Sequence, residues 1–280
     1  MKALLAISGL LVALGAAPAF GDGLPRVISL DSCSDQLVLA LAEDRQIIAL
    51  SQDSRGAFSY YAARAEKFPQ HFGTAEEILL LGPDLVLSTG AGDPGLVTML
   101  ERLGIRVVKT GLPNTIEDAL DDLGEVGAAL DQPGKAAALS QKTEAELQAL
   151  RQKPALGQSA LYVSPSGVTT GSGTFLHQTI ELAGLKNLMA EEGGQGWSSF
   201  KVEAFIKFKP DILITSFFNA RIGNAESWRF AAHPAMQAAM ADVSVVDIPS
   251  RYLSCPAWYA VEGAALIRSK VEEGTFETTP

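Results

Sequence analysis

Positive charge, histidine, cysteine and long apolar runs are all scarce in this chain. Its 22 lysines and arginines face 32 aspartates and glutamates, a formal net charge of −10. No basic patch interrupts that excess, so the electrostatic field excludes nucleic acid and anionic lipid as partners. The histidines are His71, His177 and His233, with neither H-x-H nor H-x-x-x-H spacing, which disfavours a bare Zn²⁺ or Mn²⁺ site. Enzyme signatures are missing too. There is no G-x-S-x-G, no P-loop, and no carboxylate pair with a reason to act together. The stretch TTGSGTF lacks the Walker lysine and reads as a glycine-rich βα turn.

The one long apolar run opens the chain. MKALLAISGLLVALGAAPAFGDG carries an early positive charge at Lys2, an apolar stretch, and an A-x-A pattern at Ala17-Pro18-Ala19. It reads as a secretory signal peptide over 1–21, cut between Ala19 and Gly21. The run from Ala3 to Ala17 is short for crossing a bilayer. No cysteine lies near the cut, which argues against a lipid anchor. The mature protein is therefore expected to be soluble and exported. In an oxidising compartment the pair Cys33 and Cys255 usually means a disulfide. Two further readings stand beside it, thiols touching a metal complex and two small buried residues, because sequence does not set their separation.

What is present is a repeated alternation of strand and helix. RVISL (26–30) is a short strand, and DSCSDQLVLALAEDRQIIALS adds a loop, a helix and a second strand. The clause EEILLLGPDLVLS, starting at Glu76, returns as EAFIKFKPDILIT, starting at Glu203, with the same spacing from glutamate to Pro-Asp. Proline ends a helix and aspartate suits a tight αβ loop, so that dipeptide needs only folding grammar. Glu76 and Glu203 fall in the first turn of their helices, where a carboxylate gains about 0.3–1 kcal/mol from the helix dipole. Residue physics leaves that reading and a surface docking role both open. Glu77 is better explained as the capping-box partner of Thr74. Between the two halves, 131–154 is filled with helix formers, with Pro133 suited to its start and Pro154 to its stop. At 1.5 Å per residue it reaches roughly 35 Å, about the diameter of a small domain. The pattern is that of an α/β protein with mostly parallel central sheets in two Rossmann-like lobes, 24–130 and 155–276, joined by a single long α-helix.

RVISL with its polar loop, AEEILLLGPDLVLS, the central helix, GSGTFLHQTIELAGLKN and EAFIKFKPDILIT occur in one order. In that order the chain resembles the periplasmic solute-binding proteins that serve ABC importers of ferric siderophores, haem and vitamin B12. The likeness covers essentially the whole mature chain. It implies a class III periplasmic binding protein, two lobes facing across a cleft, with a linking helix that limits hinge motion. It implies a monomer in the periplasm without an intrinsic cofactor, whose ligand is a metal chelate or corrinoid. It also implies an ABC permease dimer in the inner membrane as partner, with one glutamate per lobe docking into arginine-lined pockets. By position those roles fall on Glu76 and Glu203. An exported enzyme or a ligand sensor on a similar two-lobed scaffold is the alternative from another class.

Open α/β sheets place their sites at the carboxyl ends of the strands. The ligand-binding candidates are therefore Asp31, Ser32 and Cys33 after the first strand, Tyr60 after the second, and Thr89 and Gly90 after the echoed one. In the second lobe they are Trp197, Phe217, Arg251 and Tyr252. Trp197 in GGQGW offers a face to a flat ligand, or anchors its own loop. Tyr60 or Tyr61 can ligate haem iron as a phenolate, or simply pack. Arg251 and Tyr252 suit anionic or amide groups, Arg251 equally an ordinary surface charge. A Cys33–Cys255 bond at the cleft would leave little freedom for opening.

Overall fold

Short runs of Val, Ile and Leu make the strands, and capping residues punctuate the helices between them. The computed structural model describes residues 23–90, 92–201, 208–216, 233–234, 237–238 and 243–276. The signal segment, Glu203 and Phe217 lie outside the described residues. In the first half, β1 (Val27–Ser29), β2 (Ile47–Ala49), β3 (Leu85–Ser88) and β4 (Val107–Lys109) form a parallel sheet in the order β2-β1-β3-β4. β1 and β3 are buried at every position, as expected for strands covered by helices on both faces. Each Val, Ile or Leu so buried stabilises the lobe by about 1.5–3 kcal/mol.

The helices of this half are α1 (Ser32–Leu41), α2 (Ala62–Ala65), α3 (Ala75–Leu81), α4 (Pro94–Arg102) and α5 (Ile116–Ala129). Asp31 caps α1 in a capping box with Ser34, Thr74 caps α3, Asp93 caps α4 just before Pro94, and Thr115 pairs with Asp118 at α5. Gly82 ends α3 in the left-handed conformation at φ 60°, which glycine adopts without steric cost.

α6 (Pro133–Arg151) follows, opened by proline at its first turn and shorter at both ends than the stretch 131–154. It packs on α5 so closely that a Cβ at Gly127 would lie 2.4 Å from that of Ala136. It also touches α7 (Phe175–Leu182) and α9 (Ala260–Glu273) of the second half.

Beyond α6 the arrangement repeats. β5 (Ser159–Val163), β7 (Lys186–Asn187), β9 (Ile212–Thr215) and β10 (Ser244–Asp247) form a second parallel sheet, in the order β10-β9-β5-β7. Read from the other edge it is β7-β5-β9-β10, the same order as the first sheet. The echoed clause thus feeds β3 in one lobe and β9 in the other, at equivalent places. β6 (Val168–Thr170) and β8 (Trp197–Ser199) make an antiparallel ribbon, with α8 (Leu188–Glu191) between β7 and β8.

α6 is not the only bond between the halves. Cys255, Ala257, Trp258 and Tyr259 are buried in the core of the first lobe, although they follow the last strand of the second. α9 then returns to the second core through Ala260, Val261, Ala264, Ile267 and Val271. Ile116, at the start of α5, packs into that second core in exchange.

Candidate ligand-binding cleft

The polar loop after β1 is spent on tying the strand ends of the first sheet together. The Asp31 carboxylate accepts from Ser34 N–H at 2.8 Å, Thr89 N–H at 2.9 Å, Thr89 Oγ1 at 2.7 Å and Ser88 Oγ at 3.2 Å. Four donors fix the turn after β3 against the start of α1, and Asp31 itself is buried. Ser32 is half-buried, and its carbonyl accepts from Gln36 Nε2 at 2.8 Å. Thr89 and Gly90, the latter at φ 79°, border a concavity of about 340 Å³. Its other walls include Asp93, Val97, Thr98 and Lys109, and Lys109 pairs with Glu101 at 2.7 Å. That volume lies at the small end for a drug-sized ligand, enough for part of a large guest.

Below this rim lies a buried carboxylate that the sequence did not single out. Asp35 accepts from the Ser29 hydroxyl, from Ser51 N–H at 2.9 Å and from Ser51 Oγ at 2.5 Å. Burial nevertheless pushes its pKa up to about 7, the serine donors only partly offsetting the lost solvation. His71 completes the layer. Its Nδ1 accepts from Gly73 N–H at 3.0 Å, so Nε2 carries the proton and donates to the Ser29 carbonyl at 2.7 Å. The histidine is thereby a buried brace between β1 and the loop before α3.

Where the lobes meet, the loops after β2 and β10 touch. Ser254 Oγ donates to the Phe58 carbonyl at 2.7 Å, and a disulfide joins Cys33 to Cys255 with Cα atoms 5.5 Å apart. Tyr60 stacks on Tyr259 with centroids 4.3 Å apart and meets the edge of Tyr252 at 5.8 Å. Its hydroxyl donates to Glu262 Oε2 at 2.7 Å. Burial first, and then that carboxylate, hold the Tyr60 phenol well above the usual tyrosine range. Arg251 is exposed, with its guanidinium 4.8 Å from the Tyr252 ring centroid.

Trp197 sits on β8 with one side in its own lobe, 6.0 Å from Phe175 and 6.5 Å from Tyr162 between ring centroids. It is still 49% exposed. An indole supported from behind and open in front can serve both as loop anchor and as contact face. The structure thus gathers Asp31, Cys33, Thr89 and Gly90 at one strand-end layer and Tyr60 with Tyr252 at the junction. Trp197 stands apart on the ribbon of the second lobe. Sequence reasoning missed Asp35, Glu262, Trp258 and Tyr259. Ser29 and Ser51 left only a faint signal, polar residues at or just beyond the ends of two apolar strands, and Asp35 is one polar residue inside the run that forms α1.

On the outside of the first lobe, Glu76 is exposed on α3. The aspartates of the echoed clause do matching work. Asp84 accepts from Arg26 N–H at 2.7 Å, and Asp211 from Ser159 N–H and Oγ, both at 2.8 Å. Each closes the edge of the central strand of its sheet. The Ser159 backbone and hydroxyl donors hold the Asp211 carboxyl below its usual range.

The periplasmic binding protein family matches residues 27–250. A vitamin B12-binding protein of Yersinia pestis (strain Pestoides F) is 26% identical over 229 residues, 78% of either chain. The periplasmic heme-binding protein RhuT of Roseiflexus sp. RS-1 superposes with a TM-score of 0.68 at 19% identity, over 88% of this chain and 96% of that one. An ABC-type Fe3+-hydroxamate transport system protein of Saccharomonospora viridis gives a TM-score of 0.64 at 21% identity, over 90% and 94%. At those identities the two structures speak for the fold.

Proposed function

This chain belongs to the periplasmic binding protein family, and on that footing we propose that it is the solute-binding component of an ABC importer. Its ligand is a corrinoid or iron chelate (cobalamin, ferric siderophore or haem), captured between the lobes and handed to an inner-membrane permease dimer. The observation that carries this reading is a half-exposed indole, Trp197, on one lobe of a pair of like-ordered parallel sheets whose strand-end loops meet. The names of the relatives span the same ligand classes.

Affinity comes from burying a large ligand between aromatic and polar loops, without covalent chemistry. Lobe closure is small, because the disulfide and the Tyr60–Glu262 contact already bind the halves at the junction. Haem ligation through Tyr60 is the weaker variant, since its hydroxyl is engaged by a carboxylate that opposes phenolate formation. That favours a corrinoid or siderophore. Glu76 and Glu203 dock on the permease, one from each lobe, and the protein acts as a monomer after removal of segment 1–21 on export to the periplasm.

Titration of the mature protein with cyanocobalamin, a ferric hydroxamate and haemin, followed by tryptophan quenching and absorbance, tests the ligand class. Micromolar or tighter binding of one is expected, and binding of none overturns the reading. The double charge reversal Glu76→Lys/Glu203→Lys should leave that binding intact while abolishing permease docking. Unchanged docking would reject the role of both.

A further inference from the structure

Three large apolar side chains on the first lobe are turned to solvent around Glu76. Phe72 is 80% exposed, Leu80 87% and Leu79 49%. On α3, Glu76 and Leu80 are four residues apart and Glu76 and Leu79 three, so all share one helix face. Phe72 precedes the helix, but its N–H donates to Glu77 Oε2 at 2.6 Å, which pins it beside the first turn. Arg26 donates to the carbonyls of Leu81 and Gly82 and secures the other end of α3. The exposure is therefore built into braced backbone. Among the described residues the Glu76 carboxylate has no ion-pair partner.

An exposed carboxylate–cation pair contributes little and is screened by salt. The same pair ringed by apolar groups that exclude water is stronger and less salt-sensitive. We propose that Phe72, Leu79 and Leu80 form such a seal, so that the first lobe docks as one unit, a carboxylate inside an apolar ring. The surface it fits is an arginine or lysine seated in an apolar recess on the periplasmic face of the permease. This rests on the docking role of Glu76. Charge selects the occupant. A second copy seated here would bring a body of net charge −10 against a face centred on a carboxylate, and the same charge repels an anionic bilayer.

The test uses the importer's permease in lipid nanodiscs, with lipid-only nanodiscs as control, and the mature protein as wild type, Phe72→Ser/Leu80→Ser and Glu76→Lys. Affinity is read between 50 and 500 mM salt, beside solute binding and light-scattering mass. Phe72→Ser/Leu80→Ser is expected to keep solute binding, weaken docking at least tenfold and steepen its salt dependence. Glu76→Lys is expected to abolish docking. If Glu76→Lys docks poorly while the serine variant docks as wild type with an unchanged salt slope, the seal is refuted and the role of Glu76 stands. Docking by Glu76→Lys equal to wild type refutes both. Equal binding to lipid-only nanodiscs, or a dimer that the serine variant dissolves, assigns the face elsewhere and also overturns the proposal.

Discussion

Replacing Cys33 and Cys255 together by alanine removes the longest-range covalent link in the fold. The bond closes a loop with a sequence separation of 222 residues. The chain-entropy relation for a loop of that size gives about 18 cal/mol/K, or about 5 kcal/mol of stability at 25 °C. Native packing at this point does not depend on the bond alone, since Ala257, Trp258 and Tyr259 remain buried in the first core. The fold should therefore survive with its stability reduced toward that limit. Because 1 kcal/mol shifts Tm by about 2–4 °C in a domain of this size, a fall of about 10–20 °C is expected. Differential scanning calorimetry and guanidinium unfolding of oxidised, reduced and double-alanine protein measure it. The reduced and alanine forms should coincide. A loss below about 1 kcal/mol in both would mean that the unfolded chain gains almost no freedom, and the argument for a cross-lobe restraint would fail.

Asp35 sets a pH dependence. Its pKa rises from 3.8 to about 7 on folding, so the native state holds a proton that the unfolded chain releases, and stability falls as pH climbs between about 4 and 7. At 1.36 kcal/mol per pKa unit the loss is at most about 4 kcal/mol, and Asp35→Asn should flatten urea-unfolding free energies across that window and raise them above pH 7; parallel curves would contradict this. Lys209 precedes Pro210 at φ 43°, where Gly82 precedes Pro83 at φ 60° in the other lobe. The left-handed penalty of about 1–2 kcal/mol, less the extra backbone entropy glycine loses, predicts that Lys209→Gly stabilises by about 0.5–1 kcal/mol, read by thermal unfolding; destabilisation would refute it. Trp197→Ala should weaken solute binding at least tenfold, about 1.4 kcal/mol, in equilibrium titration, with Tm little changed, whereas a fall in Tm at unchanged affinity would mark the indole as a loop anchor only.

The alternating architecture was legible because each signal for it is local. RVISL, LVLS and ILIT are compact apolar runs, and Thr74, Asp93 and Pro133 punctuate helices from within a few residues. The crossing of the chain at Cys255–Tyr259 was not legible. Those residues follow a second-lobe strand, and their burial depends on partners some two hundred positions away, such as Phe58 and Cys33. The direction of polar side chains was equally hidden. Asp31 in DSCSD has the look of a cleft-facing acid, yet four donors, from the first turn of α1 and from the end of β3 with the turn after it, draw its carboxylate inward. Burial of a polar group is decided by where its partners lie, and those are set by strand order, which no local pattern encodes.

The echoed clause can now be divided by cause. Proline ends the helix, a left-handed residue before it turns the chain, and aspartate reaches across to the N–H that opens the neighbouring central strand. The same third strand of the same sheet order receives each copy. Folding therefore accounts for Pro83, Asp84, Pro210, Asp211 and the apolar strands, and it would demand them in any protein with this sheet. It makes no such demand on Glu76. Thr74 already caps that helix, Glu77 already braces the preceding loop, and the Glu76 carboxylate stands in solvent. A helix-dipole gain of at most about 1 kcal/mol is equally available to Glu77 in the same turn. The part of the repeat that the fold leaves unexplained is the part assigned to the partner.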